Sequence, residues 1–112
     1  MPVLHIHTNI SIDNQSEFLA QASTSVAAAL GKPESYVMIL FSECKPMSFA
    51  GTQEPTAFLE LKSLGLNDSQ TNDLSEKLCS FLETTLNINT SRIYIEFSAP
   101  ERAMFGWNKS TF

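Results

Sequence analysis

The 112-residue sequence predicts a two-layer α/β (α+β) sandwich, a four-stranded mixed sheet with two helices on one face. Short stretches of alternating apolar and polar residues flank two longer stretches whose apolar residues recur at helical spacing, in the order strand, helix, strand, twice over. The two halves also align at an offset of 56 positions, Leu30 to Phe41 (LGKPESYVMILF) over Leu86 to Phe97 (LNINTSRIYIEF), which reads as a duplicated strand-helix-strand unit. Right-handed crossovers make each unit a parallel pair, and two units side by side give a ferredoxin-like arrangement. A chain of this length supports one modest core, so residues 1–112 are expected to form a single domain.

The elements follow in order. Val3 to Thr8 is the first strand, with Leu4 and Ile6 on one face and Val3, His5 and His7 on the other. Asp13 to Ser16 supplies capping residues for a helix from Glu17 to Leu30, whose Phe18, Ala22, Val26, Ala29 and Leu30 share a side until Gly31 and Pro33 stop it. Tyr36 to Phe41 is apolar on both faces and is expected to be a strand covered on both. After a turn-rich link, Phe58 to Leu64 directs Leu59 and Leu61 inward and Phe58, Glu60 and Lys62 outward. Asn67 to Ser69 caps a second helix with the stripe Leu74, Leu78, Phe81, Leu82 and Leu86. Arg92 to Phe97 is the fourth strand, with Tyr94 and Glu96 outward, and the tail from Ser98 carries Phe105, Trp107 and Phe112 without an assigned element.

Composition excludes several functions. A net charge of -5 argues against nucleic acid and anionic membrane as partners. The longest apolar run, Tyr36 to Phe41, is far too short to span a bilayer, and no basic start or apolar stretch marks a signal peptide; a cytoplasmic location is expected, with leaderless secretion open. Cys44 and Cys79 form no CxxC pair. His5 and His7 share a strand face and could in principle hold a metal, but no third histidine accompanies them. The outer face of the sheet gathers His5, His7, Met38, Leu40, Glu60, Lys62, Tyr94 and Glu96, a mixture that suits a homo-oligomer interface better than a core or an ordinary surface.

Several segments together carry a family likeness: Met1-Pro2 before a strand ending in Thr8-Asn9, Gly31-Lys32-Pro33 with Tyr36 beyond, Met47 to Gly51 (MSFAG) with Glu54-Pro55, Lys62 to Gly65 (KSLG), Arg92 to Ile95 (RIYI), and Gly106-Trp107-Asn108 running to Ser110-Thr111-Phe112. With these in order from end to end, the chain resembles the macrophage migration inhibitory factor family of tautomerases. The resemblance implies the tautomerase fold, a homotrimer, no metal and no cofactor. It also implies keto-enol conversion of phenylpyruvate-like aromatic α-keto acids or dopachrome-like compounds, with a cytokine-like, receptor-binding role as the alternative.

Residue roles come from the same resemblance. Removal of Met1 would free the secondary amine of Pro2 to act as acid and base. Lys32, which by itself reads as a solvated cation after a helix, would hold the substrate carboxylate with the backbone N–H of Leu64, whose side chain reads as core. Tyr94 and Glu96 would reach the site of a neighbouring subunit; Glu96 stands where well-known members have Asn, which adds a carboxylate near an anionic substrate and predicts reduced activity. Phe105 and Trp107 would form an apolar wall, with Tyr36 and Val3 at its rim. Where some relatives carry a thiol CxxC, this chain has Thr56-Ala57-Phe58-Leu59, so thiol oxidoreductase activity is not expected.

Overall fold

The structure, a computed structural model, describes all 112 residues. β1 (Pro2–Thr8), α1 (Gln15–Leu30) and β2 (Met38–Ser42) form the first unit; β3 (Ala57–Ser63), α2 (Asp68–Leu86) and β4 (Ile93–Ser98) form the second. The strand order is β2-β1-β3-β4, with β1 parallel to β2, β3 parallel to β4, and β1 antiparallel to β3 at the centre. Each crossover therefore joins direct neighbours, as right-handed strand-helix-strand units do.

Side-chain alternation sorts the sheet into two faces. Leu4, Ile6, Leu59, Leu61 and Ile93 point to the helices and join Phe18, Val26, Leu74, Leu78, Leu82 and Leu86 in one buried cluster. Each fully buried leucine contributes about 1.5–3 kcal/mol from burial alone, so the stripe of α2 holds much of the core together. Phe81 and Cys79 only flank this cluster, and burial pushes the Cys79 thiol above its ordinary value.

Helix ends follow their sequence signals. The Asn14 side chain accepts from the Glu17 N–H at the start of α1, and Asn67 with Gln70 closes a reciprocal cap at the start of α2. Gly31 takes a left-handed φ of 63°, and Asn87 does the same at 56° after α2. The N–H groups of Gly31 and Lys32 donate back to Ala28 and Ala27, which ends α1 sharply and fixes the direction in which Lys32 leaves it.

Three sequence expectations change. Tyr36 does not start a strand; it ends a single 3-10 turn, Glu34–Tyr36, because the Tyr36 N–H bonds back to Pro33. β2 is an edge strand, and within one chain its outer face is uncovered, with Met38 56% exposed and Leu40 43%. The tail is structured: β5 (Gly106–Trp107) pairs with β6 (Ser110–Thr111). Asn108 and Lys109 both have positive φ at its two-residue turn, the geometry such hairpins favour.

Candidate active site

One end of the central strand pair gathers the residues singled out near the N-terminus. Pro2 begins β1, is fully buried, and lies opposite Ser63, the last residue of β3. The chain turns just beyond, at Leu64 and Gly65, the latter with a φ of 78°. Leu64 is buried by its side chain but turns its carbonyl to Lys32, whose Nζ donates to it at 2.8 Å. An ammonium has three N–H donors, so two stay available for a further acceptor. The Ser63 hydroxyl is buried and has no hydrogen-bond partner. Buried hydroxyls of that kind are uncommon, and this one lies across the sheet from Pro2.

The amine of Met1 reports the electrostatics of this corner. Burial first, then the positive charges of Lys32 and Arg102, hold it below the ordinary amine value. Both causes disfavour the charged form. The Pro2 nitrogen is one residue further into the same environment.

An aromatic wall stands beside it. Tyr36 meets Trp107 edge to face at 5.5 Å and Phe112 at 6.0 Å, and Trp107 stacks on Phe112 at 5.5 Å. Phe105 lies 6.2 Å from Phe112, whose N–H donates to the Phe105 carbonyl. Together with Met1, Val3, Ser35, Val37, Met38 and Gly106 these four rings line a cavity of about 240 Å³. A larger groove of about 540 Å³ runs between α1 and α2, but Ser, Thr and Ala dominate its walls, with Glu76 and Lys77 its charged residues. Of these two, the smaller cavity sets the first residue of the chain against a wall of four aromatic rings.

Tyr94 and Glu96 lie elsewhere in the same chain. Tyr94 pairs in register with Phe58, which pairs with His7, five residues along β1 from Pro2 or roughly 16 Å. Glu96 pairs with Glu60, opposite His5. Both face outward and are exposed, so a second copy would have to bring either to the Pro2 corner.

The same region explains several of the family-like segments. Ala50 and Gly51 have positive φ in a tight turn bridged by Phe49 and Thr52. The Arg92 guanidinium donates to the carbonyls of Phe49, Thr52, Glu54 and Pro55, and sits 5.2 Å above the Phe49 ring. Asn9 holds Gln53, Glu54 and Thr56 from the other side. Tyr94 packs edge to face on Phe49 at 4.9 Å, so this clamp fixes where the tyrosine stands.

Sequence reasoning missed three residues here. Phe112 completes the wall, Ser63 supplies the orphaned hydroxyl, and Arg102 adds positive charge near the first amine. Phe112 carried a signal, as a terminal aromatic after two others in the tail; Ser63 and Arg102 carried none. The outer face also holds a polar cluster. His7 shares a hydrogen bond with Glu60 at 2.9 Å that keeps the carboxyl below its usual range. Burial first and then the neighbouring His7 lower the basicity of His5.

Comparison with known proteins agrees with this fold. The whole chain, residues 1–112, matches the family described as macrophage migration inhibitory factor. It is 43% identical to a macrophage migration inhibitory factor homolog of Brugia malayi, over 100% of this chain and 99% of the relative. It is 38% identical to a homolog of Trichinella spiralis, over the full length of both. Among solved structures, a macrophage migration inhibitory factor homologue from Prochlorococcus marinus superimposes with a TM-score of 0.92 at 38% identity, covering 98% of each chain. No helix is long and apolar enough to cross a membrane. In sequence along its whole length and in fold, the chain belongs to the macrophage migration inhibitory factor family.

Proposed function

We propose that the protein is a cofactor-free keto-enol tautomerase of phenylpyruvate-like α-keto acids, acting through the Pro2 amine once Met1 is removed. The observation that supports this reading is the Pro2 corner: the N-terminal amine of Met1 is lowered in basicity by burial and then by Lys32, beside an aromatic-walled cavity that Met1 itself lines. A neutral amine takes up a proton at pH 7; a protonated one cannot.

In this reading the substrate carboxylate accepts from the two free N–H groups of Lys32 and from the Leu64 backbone. The aromatic ring lies against Tyr36, Phe105 and Trp107. The Pro2 nitrogen takes a proton from the carbon next to the keto group, the C–C double bond forms, and the keto oxygen acquires negative charge and then a proton. The net change is transfer of one proton from carbon to oxygen, reversible through the same amine. Tyr94 of a neighbouring copy would orient that oxygen, which makes a homotrimer part of the proposal. The exposed Met38, Leu40 and Tyr94 on the outer face support such an assembly.

Protein that retains Met1 has an amide nitrogen at Pro2 and no base. Its rate of phenylpyruvate conversion is expected to be at least about a hundredfold below that of the processed protein, each form confirmed by intact mass. Equal rates would remove Pro2 from the chemistry. Glu96→Asn should raise kcat/KM about fivefold by removing a carboxylate that opposes an anionic substrate; an unchanged value would show that Glu96 does not reach the site.

A further inference from the structure

We propose that His5, His7 and Glu60 form a binding site for a divalent metal ion of the zinc class, with Lys45 as the group the ion displaces. The two histidines are visible on one strand, and the register of β1 and β3 supplies their third partner: Glu60 lies opposite His5 and hydrogen-bonds His7. Glu60 Oε2 is 2.9 Å from His7 Nε2 and 3.7 Å from His5 Nδ1. All three ligand atoms fall within 4.8 Å of one another.

Zinc bonds to imidazole nitrogen and carboxylate oxygen run about 2.0–2.2 Å, which sets neighbouring ligands of a tetrahedron about 3.4 Å apart. The observed separations bracket that value, so side-chain shifts below about 1 Å would close the set. Three protein ligands with an outward-facing fourth position match the open type of zinc site. Within one chain the three side chains are 29%, 17% and 32% exposed, which holds the ligands in place.

The surrounding residues orient the ligands. Ser42 on β2 bonds His5 Nε2 at 2.9 Å, which engages the far nitrogen and leaves Nδ1 turned to Glu60. The two imidazoles stack with centroids 3.8 Å apart. Lys45 acts in the opposite sense. Its ammonium can only donate, so His7 Nδ1 accepts at 2.8 Å and His7 carries its proton on Nε2, given to Glu60. Coordination through Nε2 requires that proton to move to Nδ1, and the contact with Lys45 then becomes donor against donor. Lys45 is exposed and can swing away, but its charge still opposes the incoming cation.

Lys45→Gln should therefore tighten binding, because a carboxamide oxygen can accept from Nδ1–H and the cationic charge is gone. None of these residues lines the Pro2 cavity, so the inference stands apart from the tautomerase reading. The test uses full-length protein stripped with chelator and titrated with Zn2+ by calorimetry, and with Co2+ by visible absorption. The expected result is one saturable Zn2+ per chain and the intense bands of tetrahedral Co2+. Affinity should be weaker by about tenfold or more in Glu60→Gln, and tighter by about fivefold in Lys45→Gln. Thermal unfolding of each metal-free variant checks that it is folded. Binding that is absent in the parent, unchanged in folded Glu60→Gln, or abolished by Cys44→Ser would overturn the proposal.

Discussion

Lys32→Met is expected to lower kcat/KM for phenylpyruvate about a hundredfold, the effect of removing one well-placed charged donor from a site that stabilises a developing anion. Two separable losses make up this effect. The carboxylate loses its cation, which raises KM, and the Pro2 amine loses a nearby positive charge of the kind that, after burial, lowers the basicity of the Met1 amine at the same corner. The sign of the second is fixed. The amine must be neutral to accept a proton, so activity rises as pH rises through its pKa; without Lys32 that pKa goes up, and the acidic limb of the pH-rate profile moves to higher pH. Lys32→Arg keeps the charge and should retain the position of that limb, while its planar fork fits the Leu64 carbonyl less well and costs part of the rate. A profile unmoved in Lys32→Met would separate Lys32 from the amine.

The order of elements was legible because each signal was local. Leucines four apart on α2, alternating Leu59 and Leu61 on β3, and Asn67 before Asp68 each decide their segment without help from the rest of the chain. Segments whose structure depends on distant partners were less legible. Tyr36 reads as strand among its apolar neighbours, but Pro33 turns the backbone and Trp107 and Phe112 receive the ring. The tail hairpin rests on two positive-φ residues, Asn108 and Lys109, and the pair carries no strong turn signature.

The site divides in the same way. Pro2, Lys32, Tyr36, Phe105 and Trp107 were singled out only through the resemblance, and the fold sets them around one corner. Tyr94 and Glu96 were correctly read as outward residues, and a single chain leaves them far from Pro2. Glu60 was read as an outward strand residue on the expected oligomer face, with no role as a ligand. Its place between two imidazoles depends on which residue of β3 lies opposite His5, and strand register between segments more than fifty residues apart is not written in either segment alone.

The most direct measurement is phenylpyruvate keto-enol conversion by untagged protein, Met1 confirmed absent by intact mass, set beside Pro2→Gly at equal concentration. Gly at this position still permits removal of Met1 and leaves a terminal amine, but a primary, unconstrained one. The account predicts a fall of at least about a hundredfold, the scale of losing a positioned acid-base group. Equal rates in the two proteins would contradict it, and would leave the outer face and its ligands as the place to look for function.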